Sequence, residues 1–173
     1  MNGGTVDWEA LASSLGRIER TANGWTESGG SDAARDALEQ IIGPETLRAS
    51  VDHYIAGGPG SELVRSVLIL LRSTSAMARC HQAYLAATDV EERRAAIELL
   101  RSIGDKRILG WAPTYLADPD PQVQVWAIGI PDQLLMANLV DFKECEAVLE
   151  MAASHANENV RQKAQWIRDH LTN

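Results

Sequence analysis

A short motif recurs along this chain at the interval of a helix pair, and no other feature of the sequence limits the fold as strongly. Val64-Arg65 with Leu68, Arg93-Arg94 with Ile97, Val123-Gln124 with Ala127 and Val160-Arg161 with Ala164 stand 29, 30 and 37 residues apart. The last three follow acidic residues or Asn: Asp89, then Asp118 and Asp120, then Asn157 and Asn159. Asp or Asn at such a place accepts backbone N–H bonds as a helix N-cap, and the apolar residues after it then open a helix. Self-similarity at such a period marks one supersecondary unit that cannot bury its apolar face alone and must stack on its neighbours.

The joint DPDPQVQVWA, residues 118–127, shows how the units are punctuated. Two Asp-Pro pairs cannot both lie inside a helix, because each proline removes a donor and pushes the preceding residue towards extended geometry. Asp120 is placed to cap the next helix, with Pro121 at its first position, where the missing N–H costs nothing.

Periodicity predicts helices along most of the rest. TVDWEALASSLGRIERTA carries Val6, Leu11, Leu15 and Ile18 at spacings of three to five and reads as a first helix, with NGWTESGGS as a loose link after it. SDAARDALEQII begins at Ser31 as a cap, PETLRASVDHYIAGG at Pro44, and SELVRSVLILLRST at a cap, Ser61. SAMARCHQAYLAAT, DVEERRAAIELLRSI, DKRILGWAPTYLAD, PQVQVWAIGIPDQLLMANLV, DFKECEAVLEMAASH and NENVRQKAQWIRDHL follow with few residues between them. No strand alternation is read anywhere. The expected fold is all-α, one domain over 1–173, with irregular helices in 1–58 and clearer repeats in 59–173. An ordinary helical bundle with coincidental spacing is the alternative.

Composition bounds function. Apolar residues make up 45% of the 173, enough for a substantial core. The N-terminus has no basic start followed by an apolar block and no apolar run reaches spanning length, so a cytoplasmic protein without membrane contact is expected. Cys80 and Cys145 stand far apart with no CxxC spacing, which argues against a disulfide framework or a zinc site. Net charge is −8, and it is uneven: residues 111–155 hold 7 acids against 1 base, and residues 1–59 hold 9 against 4. A surface of that sign repels phosphate backbones and attracts basic proteins, so nucleic acid is not an expected partner.

Catalytic patterns are scarce. His53, His81, His155 and His170 form no i, i+4 pair and no HExxH frame, and His81 points away from Cys80 because adjacent helical residues diverge by about 100°. GGPG at 57–60 lacks the Lys-Ser/Thr of a phosphate loop and reads as a helix joint. Glu144, Glu146 and Glu150 read as one solvated acidic face. The repeat arginines fit structural bonds to the turns beside them. No enzyme activity, cofactor or metal is expected.

The helix after DPDP has the strongest claim to function. Packing accounts for Val123, Ala127, Ile130 and Leu134, and leaves Val125, Trp126, Gly129, Asp132, Gln133 and Met136 on an adjoining stripe. Pro131 is expected to kink or interrupt the helix, with Asp132 capping a restart. Trp126 beside Asp132 and Gln133 has the make-up of a recognition surface, and Trp126 as one more core aromatic is the competing reading. Trp111 and Tyr115 share one face of the preceding helix, beside the densest acidic segment.

The turn and second-helix pattern resembles HEAT repeats, which implies a right-handed α-α superhelix, a HEAT-like solenoid, of about four to five helix pairs whose second helices line a concave binding face. From about Ser61 onward, LVRSVLILLRS, EERRAAIELLRSIGDKRILGWAP, YLADPD, QVWAIGIPDQLL and HANENVRQKAQWIR are similar to bacterial HEAT-repeat proteins found as immunity partners in polymorphic toxin systems. That covers roughly two thirds of the chain. The resemblance implies a non-enzymatic binder that neutralises a basic toxin domain by occluding it. The expected partner-binding residues are Trp126, Asp132 and Gln133 at the centre, Asp118, Asp120 and Glu144 as an acidic rim, and Trp111 as an anchor. A generic HEAT adaptor or scaffold, including a lyase-like chaperone, is the alternative; a HEAT-like DNA glycosylase would need a basic lining that this chain lacks.

Overall fold

The computed structural model describes residues 5–171; the first four and last two residues of the expected domain lie outside that range. Ten α-helices carry most of the described chain. Helix α1 (Trp8–Ser14) opens it, capped by Asp7, whose side chain accepts from Ala10 N–H. Here the expected long first helix does not form. Gly16, at φ +63°, ends α1, and Ile18–Thr21 (β1) pairs antiparallel with Gly24–Glu27 (β2), in the register Ile18↔Glu27 to Thr21↔Gly24. The cause is local: Gly16 takes up the left-handed turn, and β-branched Ile18, Thr21 and Thr26 with Trp25 suit a pleated ribbon better than a helix. So the segment read as loose link is a strand, and strand pairing is present.

Helices α2 (Ser31–Ile42) and α3 (Pro44–Ile55) are split by Gly43, which has φ +89°. Ser31 and Ser61 are not the expected caps. Gly30 and Gly60, both at positive φ, hold those positions, and the Ser61 hydroxyl donates back to the Gly58 carbonyl. Then come α4 (Ser61–Leu71), α5 (Thr74–Ala86) and α6 (Val90–Ile103), the last capped by Asp89 and stopped by Gly104 in the left-handed region. The stretch expected as one helix around Pro113 is a 3₁₀ segment (Lys106–Trp111) followed by the short α7 (Ala112–Leu116). Pro113 has no N–H to continue an α-helix from the preceding turn, so a new one starts around it. Helices α8 (Pro121–Met136), α9 (Phe142–Ala153) and α10 (Glu158–His170) complete the chain, with Asp120, Asp141 and Asn157 as N-caps. Helix α8 continues through Pro131 without an interruption or restart, so Asp132 caps nothing.

The last eight helices pack as sequential pairs: α3 on α4, α5 on α6, α7 on α8 and α9 on α10. One row of contacts links α4 to α6, α6 to α8 and α8 to α10; on the other side α3 meets α5 and α7 meets α9. The four recurrent motifs all fall near the start of a second helix: α4, α6, α8 and α10. Their inward residues, Leu68, Ile97, Val123 with Ala127, and Val160 with Ala164, are buried in one core that extends from Leu47 to Ile167. Neither α1 nor the hairpin adds a residue to that core. They are tied to α2 by the Arg17–Asp36 ion pair at 3.6 Å and by Ser14 to Gln40. The Glu39 carboxylate ties α2 in turn to the N-terminus of α5, accepting from the backbone N–H of Thr74 and Ser75.

Candidate functional site

The DPDP joint is a buried clasp. Asp120 caps α8 by accepting from Gln122 and Val123 N–H at 3.1 and 3.0 Å, as its place before Pro121 implies. Its two oxygens also receive Arg94 in a fork, Nε to Oδ1 at 3.1 Å and Nη2 to Oδ2 at 2.7 Å. The Arg94 fork, then burial working against it and backbone donors adding to it, holds the Asp120 carboxyl below the ordinary carboxylate range. Asp118 accepts from the Tyr84 hydroxyl at 2.8 Å and from Asp120 N–H at 2.7 Å, with Arg93 3.2 Å away as an ion pair. Both acids are buried. Their charge is spent on α5 and α6, so neither stands free as an acidic rim.

The clasp repeats one step along. Gln124 on α8 occupies the place that Arg94 holds on α6; it donates to the Asp118 carbonyl and accepts from Asn157, the cap of α10. His155 braces the same joint: its Nδ1 accepts from Asn157 N–H, which leaves Nε2 to donate to the Leu116 carbonyl. Helices α6 and α8 thus each bond the cap of the next second helix, whereas Arg65 of α4 bonds Glu98 and Ser102 in the body of α6 rather than its Asp89 cap.

Trp111 is half-buried and stacks on His81, ring centroids 4.4 Å apart. His81 Nδ1 lies 2.7 Å from the hydroxyl of fully buried Tyr115, which meets Tyr84 edge to face. Burial holds the His81 imidazole below its usual range and pushes the Tyr115 hydroxyl up, so a protonated phenol faces a neutral ring. Cys80 is buried and its thiol is pushed up by burial. Cys145, also buried, is pushed up to about 11, first by burial and then by Glu144 and Asp141. Neither thiol is poised as a nucleophile.

Helix α8 brings Trp126, Asp132 and Gln133 to the second row. Val123, Ala127, Ile130 and Leu134 are buried as the spacing requires, and Trp126 is half-buried against the core. Asp132 does not act as a cap; it pairs with Lys163 of α10 at 2.8 Å, and Lys163 lies 4.1 Å over the ring of Trp166. Gln133 reaches the other way, to the Ser102 carbonyl of α6 at 3.4 Å. Gly129 is buried because Arg101 of α6 lies across it: a Cβ there would meet Arg101 Cδ at 3.1 Å and Nη1 at 3.2 Å. Arg101 makes no ion pair among the described residues, and its Nε, like Asp132 Oδ1, has no hydrogen-bond partner. Arg65 and Tyr54 converge on Glu98 at the other end of the row.

Arg101, Lys163 and Trp166 escape a reading of the sequence, although Gly129 in the middle of an apolar helix signals a close approach. Glu144 is exposed and completes a capping box with Asp141. It borders an open cleft of about 910 Å³ between the ends of α8 and α10 and the start of α9, with Met136, Leu139, Phe142 and His170 among its walls. The exposed acids of the 111–155 segment are Asp141, Glu144, Glu146 and Glu150 around α9. Among the described residues no group of His, Cys, Asp and Glu could hold a metal ion, and no helix is long and apolar enough to cross a membrane. No family model, curated protein or solved structure matches the chain.

Proposed function

We propose that the chain is a non-enzymatic protein-binding module of HEAT-repeat type, and that it neutralises a basic bacterial toxin domain as a cytoplasmic immunity protein. In this reading the helix pairs form a right-handed solenoid whose second helices present the binding face. The observation that carries it is the polar and aromatic face continued across α6, α8 and α10: Arg101 over Gly129, Gln133 on Ser102, Asp132 on Lys163, and Lys163 on Trp166. Side chains of three helices cross-bonded in this way form a preorganised surface, and Trp and Arg are the residues from which interface hot spots are built.

Electrostatic steering comes from α9 rather than from DPDP. Asp141, Glu144, Glu146 and Glu150 stand in water, whereas Asp118 and Asp120 are neutralised by arginine. Trp126, Asp132 and Gln133 remain the centre of the proposed site, Glu144 its rim, and Trp111 a support behind it. Association with a basic partner should therefore be fast and salt-sensitive. Stopped-flow association with the product of the reading frame directly upstream tests this. A rate that falls as salt rises, and falls at low salt in Glu146→Gln with Glu150→Gln, supports the reading; a rate indifferent to both removes α9 from the mechanism.

A further inference from the structure

Helix α1 and the hairpin stand outside the common core, yet they carry the two most exposed tryptophans, Trp8 at 64% and Trp25 at 60%. Core packing therefore does not account for either ring. Both line one open recess of about 320 Å³ between α1 and the hairpin, together with Glu9, Ile18 and Glu27. Strand pairing explains how these side chains meet. Ile18↔Glu27 and Arg20↔Trp25 are directly opposed pairs two residues apart, so all four side chains share one face of the hairpin, and Trp8 and Glu9 come to it from the first turn of α1. Neither Glu9 nor Glu27 has an ion pair among the described residues. The Arg20 guanidinium carbon lies 5.4 Å from the Trp25 ring centroid, so this indole already faces one guanidinium across the strand pair.

We infer that the recess is a binding site for an arginine side chain of a peptide or protein. Indole faces attract cations, and two carboxylates without partners add charge of the matching sign. A planar guanidinium stacks on an indole and forks onto a carboxylate at the same time, whereas the compact, strongly hydrated ammonium of lysine does the first less well. An apolar occupant would take both carboxylates out of water with nothing to pair them, and an anion would be repelled by them. The surroundings agree: residues 5–30 hold four acids against two arginines, and Arg17 is already taken by Asp36. This site is apart from the face on α6, α8 and α10 and does not depend on the function proposed for that face.

Titration of the full chain, followed through its five indole N–H signals in proton–nitrogen correlation spectra, tests it. N-acetyl-arginine amide should shift the Trp8 and Trp25 signals saturably in the millimolar range and leave those of Trp111, Trp126 and Trp166 in place. The citrulline analogue, similar in shape and uncharged, should shift neither. N-acetyl-lysine amide should bind more weakly than the arginine probe, and so should free arginine, whose α-carboxylate meets the two glutamates. Glu27→Gln should weaken binding about fivefold, whereas Glu19→Gln, which removes the same charge from the opposite face of the hairpin, should leave it unchanged. Should Glu27→Gln open the hairpin, seen as a displaced Thr21 amide signal, Glu9→Gln on α1 decides, with the same loss expected. Indole signals that do not move, citrulline, lysine or free arginine binding as tightly as the blocked arginine, or equal losses in Glu19→Gln and the recess variant each overturn the inference.

Discussion

Arg94 holds Asp120 through two parallel contacts, at 3.1 and 2.7 Å, while the same carboxylate caps α8. One side chain thereby fixes where a helix starts and which helix lies beside it. Removing it separates those tasks. Asp120→Asn keeps an acceptor for the cap and loses the charge; Asp120→Ala loses both. The alanine variant should unfold at a lower temperature than the asparagine variant, by the ~1–2 kcal/mol that a lost cap costs, and both should melt below the parent. Equal melting of all three in scanning calorimetry would show that the clasp does not hold α6 to α8.

Gly129 and Arg101 should be energetically coupled. Alanine is favoured over glycine inside a helix by about 1 kcal/mol, but a Cβ at Gly129 meets the Arg101 side chain at 3.1 Å. Gly129→Ala is therefore expected to stabilise the Arg101→Ala background more than it stabilises the parent. Denaturant unfolding of the four proteins checks this; identical increments would mean that Arg101 moves aside at no cost.

His81 supplies a pH dependence. Burial depresses its imidazole, so as pH falls the unfolded chain takes up the proton first. The stabilisation is complete above the ordinary value of 6.5 and is lost as pH falls through the depressed one. The urea midpoint of the parent should drop as pH falls below the ordinary imidazole value of 6.5, and His81→Gln should flatten that drop. A variant with the parent's slope would assign the dependence to other groups.

What the sequence revealed here was what is local. Capping joins residues two or three apart, so Asp89, Asp120 and Asn157 could be read as helix starts, and the buried spacing of Val123, Ala127, Ile130 and Leu134 follows from helix period alone. The hairpin was hidden because Leu11, Leu15 and Ile18 fit a helical spacing across Gly16, although the Asn23-Gly24 dipeptide, which the structure places at the end of the turn and the start of β2, is a hairpin signal. Partners from far along the chain were not legible. Asp118 and Asp120 look like free acids until Arg93 and Arg94 are folded against them, and Asp132 looks like a cap until Lys163 arrives from α10.

Titration calorimetry of the parent and of Asp132→Ala with Gln133→Ala, against the product of the reading frame directly upstream as the proposed partner, tests the proposed binding face most directly. The Asp132–Lys163 pair is partly exposed, and such pairs contribute about 0–1 kcal/mol, so the double variant should melt close to the parent. It is expected to bind at least about thirtyfold more weakly, the ~2 kcal/mol that marks a hot spot rather than a rim contact. A double variant that melts like the parent and binds as tightly contradicts it.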